Sequence, residues 1–193
     1  TSVNRDDMPD GGAAHFVDVV NQCRAEIPDM RFELLLPDFR HCQALAIETL
    51  AEALPFVFAH NAETVPSLYK DVRPGADYKL SLALLRKAKQ KYPDIQTKSS
   101  IMLGMGESET EVIDVLKDLR HAQCDRIAIG QYLQPCKDAM PVAEFIHPDK
   151  FRWWHQEARH LGFSWVMASP FTRSSFGAQQ EYTDNTPTAL NIS

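Results

Sequence analysis

The segment Gln96-Thr97-Lys98-Ser99-Ser100-Ile101-Met102-Leu103, followed by Gly104-Met105-Gly106-Glu107, decides the fold. A strand over 96–103 runs into a glycine-rich tip. Residues 109–123 then place Val112, Ile113, Leu116 and Leu119 on one helical face, with acids in the first turn where the helix dipole favours them. The cycle recurs along the chain. Leu34-Leu35-Leu36-Pro37-Asp38-Phe39-Arg40-His41, Val57-Phe58-Ala59-His60-Asn61-Ala62-Glu63-Thr64 and Ile127-Ala128-Ile129-Gly130-Gln131-Tyr132-Leu133-Gln134-Pro135-Cys136 are likewise apolar runs ending in polar or glycine-rich tips.

Helices are expected over 13–25, 42–54, 78–92, 109–123 and 149–161, and strands over 32–36, 56–59, 96–103, 126–129 and 163–168. Thr1 to Asp7 read as the end of an apolar strand entering a polar loop, with Asp10-Gly11-Gly12 as the turn. Near-continuous apolar strands alternating with helices indicate α/β class and a parallel sheet with right-handed crossovers. A partial barrel is the first reading and a doubly wound sheet the second, because no nucleotide-fold glycine fingerprint follows the first strand.

A chain of 193 residues can bury one substantial core. A closed eight-stranded barrel takes about 250 residues, so a barrel here is small, open or truncated. The formal charge is −6, from 26 acidic and 20 basic residues, and the basic residues are dispersed. No basic stripe interleaved with aromatics marks a nucleic-acid footprint, and no apolar run reaches the roughly 20 residues of a membrane span. A cytoplasmic setting without nucleic-acid or membrane partners is expected. Cys23, Cys42, Cys124 and Cys136 are too scattered for a compact metal signature and read as buried or incidental thiols. Residues 1–180 are expected to form one barrel unit with a C-terminal extension, and 181–193 a flexible tail.

Chemistry is expected at the tips, where an α/β barrel gathers its site. Gly104 and Gly106 allow positive φ or close approach of a flat ligand, and Glu107 can cap the following helix. Lys98 shares a strand face with Ser100 and needs a carboxylate or ligand partner if buried. His60, Asn61 and Glu63 make a polar cluster suited to hydrogen-bonding a ligand, with a metal site weakly signalled. Arg73 either clamps a carboxylate or pairs with Asp71 or Asp77. Arg5 with Asp6 and Asp7 is a charged pair of the same ambiguity. Ser174 and Ser175 offer hydroxyls without the elbow of a hydrolase nucleophile.

Taken together, the stretches 1–16, 34–39, 59–85, 97–107, 129–135 and 170–176 resemble, in order, those of lipoyl synthases, radical S-adenosylmethionine enzymes. The resemblance implies a partial (β/α)6 TIM-like barrel of the radical S-adenosylmethionine type, truncated on its N-terminal side. It also implies S-adenosylmethionine and two 4Fe–4S clusters. One cluster, held by a CxxxCxxC motif, cleaves S-adenosylmethionine to a 5'-deoxyadenosyl radical; the other donates sulfur to a protein-bound octanoyl chain. Neither cysteine motif is in the chain, so both are expected upstream of Thr1, and the chain alone is expected to be inactive.

Carried over by the same resemblance, Asn61, Glu63, Lys98, Ser99, Gly104, Gly106 and Glu107 would surround the cofactor. Arg73 and Lys98 would be the catalytic candidates. Ser174 and Ser175 would match a motif in which one serine ligates the auxiliary cluster, with Ser175 preferred. Phe176 would replace that motif's tyrosine. The implied partners are an octanoylated lipoyl-carrier domain or glycine cleavage H-type protein, and a flavodoxin or ferredoxin reductant. Two further readings are a Schiff-base lyase or aldolase-like barrel using Lys98, and a non-catalytic homologue or fragment.

Overall fold

The computed structural model describes residues 1–175. Phe176 and the tail expected over 181–193 lie outside the described residues. In chain order the elements are α1 (Ala13–Glu26), β1 (Glu33–Leu35), α2 (Gln43–Leu50), β2 (Val57–Ala59), α3 (Tyr69–Val72), α4 (Tyr78–Lys91), β3 (Thr97–Leu103), α5 (Glu109–His121), β4 (Arg126–Gln131), α6 (Pro148–His160) and β5 (Trp165–Ala168). Single 3-10 turns cover Ala51–Ala53 and Pro66–Leu68.

Local chemistry sets the helix ends. Asp77 accepts from the Leu80 amide at 3.1 Å to start α4, and Lys89 and Lys91 lie in its last turn, where the dipole favours cations. Ser108 caps α5 in a reciprocal box with Glu111, whose carboxylate accepts from the Ser108 amide at 2.8 Å. Pro148 opens α6 at a position where its missing N–H costs nothing.

The sheet order is β1-β2-β3-β4-β5 and every pair is parallel. That sequence removes the doubly wound reading, which requires a reversal of strand order. Right-handed crossovers that always advance in one direction put the helices on one face and curl the sheet into a barrel wall. Alternate strand residues record the two faces. Leu34, Phe58, Ile101, Leu103, Ile127 and Ile129 join the helices in one apolar core with Val17, Leu84, Leu116 and Trp154. The intervening positions, including Lys98, Ser100, Ala128 and Gly130, belong to the opposite, concave face.

Some expected boundaries change. Residues 1–5 form no strand; the chain instead turns through 6–12 into α1. The helix expected over 42–54 ends at Leu50 and tightens into the 3-10 turn. The strand expected over 126–129 continues to Gln131, which pairs with Leu103.

Lys98 meets the expected carboxylate, and does so far from the tips. It is the second residue of β3, about 16 Å of strand below the Leu103 tip at roughly 3.3 Å per residue. Its Nζ lies 2.8 Å from Oε2 of Glu33, the first residue of β1. It also stands 4.7 Å from the centre of the Trp165 ring, at the start of β5. Arg126, first in β4, donates to Gln96 Oε1 at 2.8 Å. These residues make a charged floor at the N-terminal end of the wall. Lys98 is 1% exposed, and the desolvation of its ammonium is offset by the carboxylate and the ring.

Candidate functional site

The opposite, C-terminal end is the mouth. Its centre of charge is Asp38, just after β1 and 3% exposed. Oδ1 lies 3.4 Å from His60 Nε2 and 3.3 Å from Arg73 Nη2. Oδ2 accepts from Asn4 Nδ2 at 3.1 Å, and Asn4 Oδ1 accepts from the Asp38 amide at 3.1 Å. Arg40 is further away, at 4.0 Å. The His60 contact, then those from Asn4 and Arg73, holds the Asp38 carboxyl far below the usual carboxylate range, against the opposing effect of burial.

This network fixes the β2 tip. Leu36 O can only accept, so His60 Nδ1 donates to it, at 2.9 Å. Arg73 Nη1 donates to Asn61 O at 3.2 Å and to the Tyr69 hydroxyl at 3.2 Å. The Arg73 partner is therefore Asp38 and not Asp71 or Asp77, since Asp77 is spent on the α4 cap. Arg5 pairs with Asp7 at 2.6 Å, on the surface.

Beyond Ala59 the chain loops out and rejoins β3 at Glu63, whose φ of 68° is left-handed. Its amide donates to Ser100 O at 2.9 Å and its carbonyl accepts from Met102 N at 2.8 Å. Ser99 supports the loop from behind, accepting from the Ala62 amide at 3.1 Å. It is fully buried, so its place is beneath the tip. Asn61 Nδ2 donates to Glu63 Oε1 at 3.0 Å. Asn61 Oδ1 is buried without a hydrogen-bond partner among the described residues. An orphaned buried acceptor costs about 1–3 kcal/mol, so this one is suited to a ligand donor.

At the β3 tip, Glu107 turns inward and accepts from the Gly104 amide at 2.6 Å and the Met105 amide at 2.9 Å. It braces the tip, and Ser108 takes the capping role expected of it. Gly104 has φ 103°, and a Cβ there would overlap Gln131 Nε2 and Glu144 O. The close approach is thus made by the chain's own 143–146 segment, where the sequence reading expected a flat ligand. Gly106, with φ 106°, has only the Ala143 side chain nearby, 3.9 Å from where a Cβ would stand. Ser174 is half-buried and Ser175 exposed, following β5 at the same end.

The structure brings Asn61, Glu63, Arg73, Gly104, Gly106, Glu107, Ser174 and Ser175 to the tips, and leaves Lys98 at the floor and Ser99 behind the sheet. Asp38 and Glu33 were missed as functional groups. Glu33 had a signal, because opposite charges interrupting two buried strands, Glu33 and Lys98, call for one another. Among the described residues no group of three or more His, Cys, Asp or Glu side chains could hold a metal ion. No helix among them is long and apolar enough to cross a membrane.

Sequential parallel strands, helices on one face and a polar mouth define a partial α/β barrel. In fold it is similar to methylornithine synthase, with a TM-score of 0.59 and 15% identity over 88% of this chain and 58% of that one. By sequence the chain is similar to lipoyl synthases along nearly its whole length. It is 52% identical to lipoyl synthase of Alcanivorax borkumensis over 94% of its own length and 56% of that protein's. It is 49% identical to that of Dechloromonas aromatica and 48% to that of Pseudomonas putida, each over 94% of this chain, covering 58% and 54% of theirs. The chain therefore spans little more than half the length of these relatives. No family model matches it.

Proposed function

We propose that this chain forms the cofactor-facing wall of a lipoyl synthase, and that the whole protein inserts sulfur into an octanoyl chain borne on a carrier protein. The observation that carries the cofactor assignment is the buried, unpartnered Asn61 Oδ1 beside the Glu63 carboxylate at the mouth. Two acceptors side by side suit the ammonium and hydroxyl donors of S-adenosylmethionine. When bound, that molecule supplies the hydrogen-abstracting chemistry of the reaction. Arg73, engaged by Asp38, acts on the site by fixing the Asn61 carbonyl. Gly104, Gly106 and Glu107 shape the adjoining tip, and Lys98 and Ser99 support it from below and behind.

The described residues do not present a thiolate set for an iron–sulfur cluster. Ser174 or Ser175, with Ser175 preferred, would offer a hydroxyl to a single corner of the auxiliary cluster. An octanoylated lipoyl-carrier domain or H-type protein is the proposed substrate bearer and a flavodoxin or ferredoxin the reductant, in a cytoplasmic setting.

The test is calorimetric titration of S-adenosylmethionine into the full-length protein and its Asn61→Ala variant. Loss of a ligand hydrogen bond at a buried acceptor weakens binding about tenfold or more. Equal affinity in the two proteins would refute the assignment.

A further inference from the structure

Residue 130 belongs to the concave side of β4, alternating with the core residues Ile127 and Ile129. A Cβ at Gly130 would overlap the backbone carbonyl oxygen of Thr172, and the nearest flexible atom, an Arg173 guanidinium nitrogen, is further off at 3.4 Å. The obstacle is backbone, so no rotamer change can relieve it. Segment 169–173 therefore lies directly against the strand, and Thr172 is 2% exposed.

Hydrogen bonds hold it there. Ser169 N–H donates to Ile129 O at 3.2 Å, Gln131 N–H to Pro170 O at 3.3 Å, and Thr172 N–H to Ser169 O at 3.1 Å. The Ser169 and Thr172 hydroxyls bond to each other at 2.9 Å. The Gln131 side chain grips the other crossing segment, with Nε2 donating to Glu144 O at 3.0 Å and Oε1 accepting from Ile146 N at 2.9 Å. Adjacent residues of one strand thus clamp 169–173 and 144–146.

We infer that Gly130 and Gln131 are positioning residues, a latch that holds 169–173 across the mouth and so gives the hydroxyls of Ser174 and Ser175 a fixed place. The purpose assigned to those hydroxyls rests on the lipoyl synthase reading above; the latch rests on its own contacts. A glycine needed only for backbone freedom would show positive φ, which Gly104 and Gly106 have and Gly130 does not. What position 130 requires is the absence of a side chain.

The experiment compares full-length wild type and Gly130→Ala. By hydrogen–deuterium exchange, the Gln131 and Thr172 amides should exchange about tenfold faster in the variant while α5 amides are unchanged. After anaerobic reconstitution, iron per chain should fall while affinity for S-adenosylmethionine stays within about twofold. Unchanged exchange at 169–173 overturns the latch. Iron and cofactor affinity falling together overturns the positioning role, because a general structural defect does that. If Gly130→Ala does not fold, Thr172→Val reads the same latch by removing the Ser169 bond. Ser174→Ala and Ser175→Ala run in parallel: if neither alters iron content while Gly130→Ala speeds exchange, the latch stands and the ligand reading falls.

Discussion

Replacing Asp38 by Ala should destabilise the protein by about 3 kcal/mol at pH 7, taking two charge-assisted contacts at the low end of roughly 1.5–3 kcal/mol each. Those contacts are the hydrogen bonds donated by Arg73 Nη2 at 3.3 Å and Asn4 Nδ2 at 3.1 Å, both to a carboxylate that is 3% exposed. Arg40 adds little, since it is 4.0 Å away with a side chain 31% exposed. The penalty includes leaving His60, 2% exposed, facing an empty space.

Acid provides the second axis. The folded-state pKa of Asp38 is lowered, so its contribution is complete above the ordinary carboxylate value near 3.9 and is lost as pH falls below it. At pH 3 part of the wild-type advantage should be gone, because the unfolded-state carboxyl is then largely protonated while the folded-state one stays ionised. Urea unfolding at pH 7 and pH 3, followed by circular dichroism, measures both effects. A pH 7 difference below about 1 kcal/mol, or a gap that does not narrow at pH 3, would show that the network is incidental.

The two tip glycines should respond unequally to alanine. Gly104→Ala forces a Cβ onto Gln131 Nε2 and Glu144 O and should cost about 2–3 kcal/mol in urea unfolding. Gly106→Ala meets only an ordinary contact with Ala143 besides left-handed strain, and should cost about 1 kcal/mol; equal losses would contradict the packing explanation. Among the cysteines, Cys136 is exposed, whereas burial pushes the Cys124 thiol up to about 12. Iodoacetamide at pH 8 should label Cys136 in the native protein and Cys124 only after unfolding, as read by peptide mass spectrometry.

Strand and helix periods were legible because each apolar residue reports one bit, inward or outward, and the bits repeat. The strand order was not. Period 2 looks the same in a doubly wound sheet and in a barrel wall, and only the pairing of β1 through β5 in sequence separates them. At the site, Asn61 and Glu63 could be seen as a polar tip, yet nothing local shows that Asn61 Oδ1 lacks a partner. That depends on where every neighbour's donors end up. Asp38 was hidden by its context, since Pro37-Asp38 also reads as a simple strand terminator. Lys98 has the carboxylate partner that a buried lysine advertises, Glu33, but the end of the barrel at which the two meet is set by strand stagger. Gly104 was read as allowing positive φ or a close approach; its φ is 103°, and nothing local shows that the neighbour is a segment of the chain some 40 positions later.

The floor pair has a consequence for assembly. Glu33 and Lys98 are 65 residues apart and sit on strands that are not neighbours, with β2 between them. They meet by reaching over β2, whose intervening concave-side residues, Val57 and Ala59, are short. Inserting β2 one residue out of step would turn the bulky Phe58 into that span in place of Val57 and Ala59 and obstruct the contact. The pair therefore favours the sheet in which β2 sits between its partners in the observed register.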